Sequence, residues 1–262
     1  IVDNTTLKIS TENVAAFSLN FLPGQCPLDL TGKLKVQVDG RKLDAPRVLT
    51  DRSWTAHFLK TGKNWEAAAA PLPEGLRKKH GLQGPIDDAF MDSFVIVQPT
   101  GEALNEKVGA WTKSELAHAT EHWRKQFRGE ARVMDDAAVT EKEIASSNLV
   151  LFGDPRSNKV LEKIAGKLPL KWTAEGVRVG GKSFSADSHV PVLIFPNPLN
   201  PERYVVLNSG FTFREWHAGS NARQVPILPD YAVMEISGAV SPYAAGDVVD
   251  AGFFNEKWEL DK

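Results

Sequence analysis

Asn148-Leu149-Val150-Leu151-Phe152-Gly153-Asp154-Pro155-Arg156-Ser157-Asn158 begins with a run of apolar residues that stops at a Gly-Asp-Pro turn. The apolar positions that follow, Val160, Leu161, Ile164 and Leu168, recur at helical spacing. The stretch therefore reads as a buried strand feeding a helix. A strand that is apolar on both faces must be covered on both faces, which is the condition of an interior strand in an α/β layer. Open α/β sheets gather their ligands at the carboxyl ends of the strands, so the loop Gly153 to Asn158 is the first place to expect a site.

Upstream, Phe94-Val95-Ile96-Val97 repeats the pattern and ends at Gln98-Pro99-Thr100-Gly101. Between the two runs, Thr112 and Glu115 have capping-box spacing, Leu116, Thr120, Trp123 and Phe127 form a stripe, and Gly129 offers a stop. Strand, helix and strand make a βαβ unit. Arg132-Val133-Met134 reads as an edge strand and Thr140 to Ile144 as a short helix. Downstream, Leu170 to Thr173 and Val177 to Val179 flank a hairpin turn, with Lys182-Ser183-Phe184 following. Val190 to Phe195 and Tyr204 to Asn208 flank a loop stiffened by prolines, Pro196 to Pro201. Tyr231 to Ile236 alternates like a strand, and the segment from Asp247 to Leu260 carries a last strand-like piece.

Before residue 66 the pattern changes. Leu7 to Ser10, Val14 to Phe21, Leu34 to Val38 and Ser53 to Leu59 alternate apolar with polar residues, as strands exposed on one face do. Asp39-Gly40 closes the third with a hairpin-type turn. The expected organisation is a β-rich, sandwich-like antiparallel layer at 1–65, a connector at 66–83 rich in Pro and Gly, and an α/β domain at 84–262. That domain is expected to be Rossmann-like or flavodoxin-like, a mixed sheet with helices on both faces.

The chain has 262 residues, 42% hydrophobic and 24% charged, the profile of a folded globular protein with ample core. Its 31 basic and 33 acidic residues leave a net charge of -2, which builds no field for a polyanion, so nucleic acid is not an expected partner. The basic run Arg77-Lys78-Lys79-His80 reads as a solvated linker face. No apolar run approaches the roughly 20 residues that span a bilayer, so no membrane span is expected. The single cysteine, Cys26, excludes an intrachain disulfide. An Ile rather than a Met at position 1 suggests a processed product or a piece of a longer polypeptide.

Motifs for chemistry are sparse. There is no Gly-x-Ser-x-Gly nucleophile elbow, no Gly-x-Gly-x-x-Gly and no Walker loop, so neither a catalytic residue nor a cofactor is expected. His118 and His122 stand four apart, which is metal-ligand spacing, yet the glutamate of His-Glu-x-x-His is missing, and surface or boundary histidines are expected rather than a metal. The acidic pairs Asp87-Asp88 and Asp135-Asp136 say little by themselves. If the strands run as drawn, Gln98, Thr100, Asp154, Asn158, Asn208 and Ser209 all end strands and converge on one crevice, with Asp87 and Asp88 as further ligand-binding candidates. The competing reading is that they cap helices and satisfy loop amides. Exposed aromatics of the first 65 residues, Trp54 and Trp65 among them, would suit a carbohydrate-binding or adhesion module.

The combination of Gly81 to Phe90, Asn148 to Asn158, Pro169-Leu170-Lys171-Trp172, Pro196-Asn197-Pro198-Leu199-Asn200 and Tyr204 to Gly210 resembles the carboxyl-terminal region of large secreted bacterial proteins related to the prolyl oligopeptidase family and its esterase-like relatives. The resemblance covers about residues 75–260. It implies a secreted or periplasmic hydrolase in which a preceding α/β-hydrolase domain carries the serine. On that reading the chain is a non-catalytic accessory module that aids packing, substrate positioning or partner contact. Its partner is then the remainder of a longer hydrolase polypeptide or a second chain. The alternative is a self-contained small-ligand-binding or hydrolytic domain using the crevice near Asp154.

Overall fold

A computed structural model describes residues 1–69, 75–238 and 241–260. The chain divides into two compact units, Ile1–Gly75 and Leu76–Lys262. The prolines at 71 and 73, on which the connector was read, lie outside the described residues.

The first unit holds six strands: β1 (Thr6–Ile9), β2 (Ala16–Phe21), β3 (Lys35–Val38), β4 (Arg41–Asp44), β5 (Trp54–Thr61) and β6 (Asn64–Ala68). They form two three-stranded sheets, β1-β3-β4 and β2-β5-β6. The second sheet is antiparallel throughout, whereas β1 runs parallel to β3. β6 continues strand structure to Ala68, past the expected end of the layer. The period-2 apolar residues Val36, Val38, Trp54, Ala56 and Phe58 supply the core, as alternation requires. Trp54 and Trp65 are 1% and 2% exposed. Their indole N–H groups donate to Pro46 O at 2.9 Å and to Asp39 Oδ2 at 2.8 Å. Buried and hydrogen-bonded, these two rings are not the exposed aromatics expected of them.

The second unit is built on β7 (Phe94–Gln98), β8 (Val133–Asp135), β9 (Asn148–Leu151), β10 (Leu170–Trp172), β11 (Val177–Val179), β12 (Lys182–Phe184), β13 (His189–Asn197), β14 (Asn200–Leu207), β15 (Tyr231–Glu235) and β16 (Asp247–Gly252). Seven of these make one sheet, ordered β16-β15-β13-β14-β9-β7-β8. β8, β7, β9 and β14 are parallel, and β13, β15 and β16 extend the sheet antiparallel. β10-β11-β12 form a separate antiparallel meander. The helices are α1 (Glu106–Phe127), α2 (Glu141–Ser146) and α3 (Lys159–Ile164).

The expected Rossmann-like or flavodoxin-like class does not hold. Strand outweighs helix 34% to 21%, and the described residues contain three α-helices, two of them only six residues long. Leu149, Val150 and Leu151 of β9 show why. All three are fully buried, so cover on both faces is indeed required, but helices supply only part of it. Meander residues Leu170, Trp172, Val177 and Val179 join the same core, as do Phe254 and Trp258 of the carboxyl-terminal segment. Phe254 and Trp258 pack edge-on to Phe195 at 5.8 and 5.9 Å between centroids. The unit is a mostly β structure with a parallel stretch inside it.

Helix α1 begins six residues before the expected capping box. Asn105 caps it, its Oδ1 accepting from the N–H of Lys107 at 2.9 Å. Thr112 and Glu115 are therefore mid-helix and buried, and Arg128, in the left-handed conformation with φ 62°, ends the helix in place of Gly129. A capping box unread in the sequence stands at Thr140, where Thr140 and Glu143 cap α2 reciprocally. The Pro196 to Pro201 segment is no loop: β13 and β14 continue through it to a tight turn at Pro198-Leu199. Among the described residues no helix is long and apolar enough to cross a membrane.

Candidate functional site

Because β8, β7, β9 and β14 are parallel, their carboxyl ends lie along one margin of the sheet, but the strand-end residues do not share one crevice: Gln98 lines one cavity, and Asn208 and Ser209 line another. Their side chains face the protein rather than a ligand. Asp154 is fully buried and accepts backbone N–H groups from Leu104 at 2.8 Å, Arg156 at 2.9 Å and Ser157 at 2.9 Å. Asn158 caps α3, its Oδ1 taking the N–H of Val160 at 3.0 Å and of Leu161 at 3.1 Å, while its amide donates to Phe152 O at 2.9 Å. Asn208 takes the N–H of Gly153 at 2.8 Å and returns a bond to Gly153 O at 3.0 Å. Gly153 sits at φ 110°, and a Cβ there would lie 2.6 Å from Ser157 Oγ, so only glycine fits.

The remaining candidates divide. Gln98 donates to Asp135 Oδ1 at 2.6 Å, and Thr100 donates to Asp136 Oδ1 at 2.7 Å. Burial raises the Asp136 pKa, but the Lys159 N–H and the Thr100 hydroxyl outweigh it and hold the carboxyl below its usual value. Ser209 donates to Gly210 O at 2.7 Å. Asp87 and Asp88 do not join the crevice. Asp87 accepts from the N–H of Thr212 at 2.9 Å and from its hydroxyl, and burial pushes its pKa up against those bonds. Asp88 accepts from Tyr204 OH at 2.5 Å.

Beside the strand ends opens a cleft of about 700 Å³. Gln98, Pro99 and Gly153 form its strand-end wall, Thr112, Lys113, Leu116 and Ala117 of α1 a second, and Ala131 and Val133 a third. Thr112 lies in the helix wall, its hydroxyl buried and without a hydrogen-bond partner among the described residues. Nothing in the sequence marked Thr112, Lys113 or Ala117 as lining residues, because Thr112 carried the spacing of a cap. Among the described residues this margin holds no serine paired with a histidine: the Ser157 hydroxyl bonds the backbone of Asp154, and Ser209 that of Gly210.

On the other side of α1 lies a narrower cavity of about 210 Å³, lined by Trp111, Glu115, His118, Arg214, Trp216 and His217 among others. Arg214 grips Glu115 bidentately, at 2.9 and 3.1 Å, with side chains 15% and 7% exposed. His118, His122 and Glu215 come together beside it. The four-residue spacing of the histidines was legible; the carboxylate beside them comes from a distant segment without a motif.

The basic run also changes character. Lys78 donates to fully buried Asp230 at 2.5 Å and Lys79 to Glu202 at 2.6 Å, so two of its residues are ion-paired rather than merely solvated. No family model, curated protein or solved structure matches the chain.

Proposed function

We propose that this chain is a non-catalytic accessory module of a secreted serine hydrolase, whose second unit holds a ligand or partner segment in the strand-end cleft. The observation that carries the reading is the commitment of Asp154, Asn158 and Asn208 to backbone groups. Side chains so bound make a rigid, preformed margin, and none of these three is free to serve as base or nucleophile. The hydrolase half of the proposal rests on the resemblance of residues 75–260. A self-contained binder would use the same cleft, with Gln98 and Lys113 as its polar contacts in place of Asp154.

The cleft walls are largely apolar and carry one charge of each sign, Lys113 and Glu130, so the probe is the neutral apolar dye Nile red. The native chain should bind it saturably, and Ala117→Trp, which fills the cleft from an exposed helix position, should weaken binding at least about tenfold without loss of fold. Binding unaltered by Ala117→Trp would remove the cleft from the account.

A further inference from the structure

His118 and His122 stand one turn apart on α1, their ring centroids 5.1 Å from each other. Glu215, which opens the 3-10 turn Glu215–Gly219, places both carboxylate oxygens 3.0 Å from His118 Nε2. Each of the three residues offers a ligand atom within 4.8 Å of the other two. Two imidazoles and one carboxylate are a donor set of the zinc class, and none needs to come from a cysteine.

His122 adds an independent observation. It is 1% exposed, and its Nδ1 has no hydrogen-bond partner among the described residues. Its Nε2 faces the Gln126 amide nitrogen at 3.2 Å. Burial, partly opposed by Glu215, lowers its pKa to about 4. Aromatic packing against Phe211 and Phe213, at 4.6 and 5.8 Å between centroids, accounts for the ring's position but leaves the nitrogen unsatisfied. The cations nearby are already paired: Arg214 with Glu115 and Lys125 with Glu121. Glu215 is thus the charge that faces the two rings, and the bond from His118 holds its carboxyl below the usual value although burial opposes this.

We propose that His118, His122 and Glu215 bind one divalent cation of the zinc class, tying α1 to the segment that follows β14. Binding replaces the contact between His118 Nε2 and Glu215: a neutral ring bound through Nε2 carries its proton on Nδ1, and the cation takes the Nε2 lone pair and a carboxylate oxygen. A tetrahedral ion held by three protein ligands keeps a further position for water or another donor.

The test uses the full chain, stripped with a chelator and titrated with Zn²⁺ and Co²⁺. One cation per chain should bind, with the visible absorption of Co²⁺ in a low-coordinate site. Glu215→Gln and His118→Gln, both at partly exposed positions, should each weaken binding about 100-fold or more, whereas His57→Gln in the first unit should leave it unchanged. No saturable binding by the native chain, or binding that both variants retain, overturns the proposal. Should the variants fail to fold, imidazole ¹⁵N resonances of the native chain decide. Zn²⁺ should shift those of His118 and His122 selectively, and unshifted rings would leave the cluster as packing alone.

Discussion

Asn208 and Gly153 exchange two hydrogen bonds across the sheet margin, Gly153 N–H to Asn208 Oδ1 at 2.8 Å and Asn208 Nδ2 to Gly153 O at 3.0 Å. A side-chain amide thereby imitates one more rung of ladder between parallel strands β9 and β14, beyond the point where the backbone pairing stops. At the opposite end of the same pair Asn148 acts similarly, taking the N–H of Tyr204 at 2.9 Å and donating to Ala89 O at 2.8 Å. Both ends of the buried β9 are closed by asparagine, which rigidifies the margin where the cleft opens.

Asn208→Ala should therefore destabilise the second unit by about 3 kcal/mol, since two buried backbone groups lose their partners. Asn208 also sits at φ 51°, where Ala is strained and Asn is tolerated. Urea unfolding followed by tryptophan fluorescence measures the loss; a change under about 0.5 kcal/mol would mean that water replaces the amide freely.

Lys78→Met should leave Asp230 buried without its cation and cost about 3–5 kcal/mol at neutral pH. Burial already raises the Asp230 pKa against the pull of Lys78, so removing the lysine raises it further. The protonated form then favours folding, and the variant's deficit shrinks as pH falls toward the acid range. Thermal unfolding at pH 5 and pH 7 checks the sign, and an equal deficit at both contradicts it.

Asp87 and Asp136 should give opposite acid dependences. The folded-state pKa of Asp87 is raised from 3.8 by burial, so its contribution is fully present below that value and is lost as pH rises through the folded pKa. Asp87→Asn should gain stability relative to the native chain across that rise. The folded-state pKa of Asp136 is lowered from 3.8, so its contribution is present above that value and is lost as pH falls through the folded pKa. Asp136→Ala should be destabilised at neutral pH and converge on the native chain in acid. Parallel stability curves for variant and native chain would refute either assignment.

What the sequence made legible followed from periodicity and local chemistry. Leu149 to Leu151 are buried as their run demands, Val133 lies on an edge strand, and the segment from Thr140 does carry a short helix. The parallel strand ends share one margin because strand polarity can be inferred from crossovers, but Gln98 and Asn208 line different cavities there. Failures came where a local pattern has two physical uses. Thr112 and Glu115 have cap spacing, yet Glu115 is mid-helix and answers Arg214, a partner that spacing cannot reveal. Two-sided burial of β9 called for cover, and nothing local distinguishes helices from the meander and the aromatics Phe254 and Trp258 as its source. Lys78 read as linker because its partner Asp230 lies far along the chain.

The most direct measurement of the central claim is the intact mass of this chain after exposure to a fluorophosphonate probe, alongside its turnover of short-chain p-nitrophenyl esters. The account predicts an unchanged mass and no turnover above buffer, because the strand-end serines Ser157 and Ser209 bond backbone carbonyls rather than a base. One stoichiometric adduct on a serine of this chain, with ester turnover abolished by the same labelling, would contradict it and make the cleft an active site.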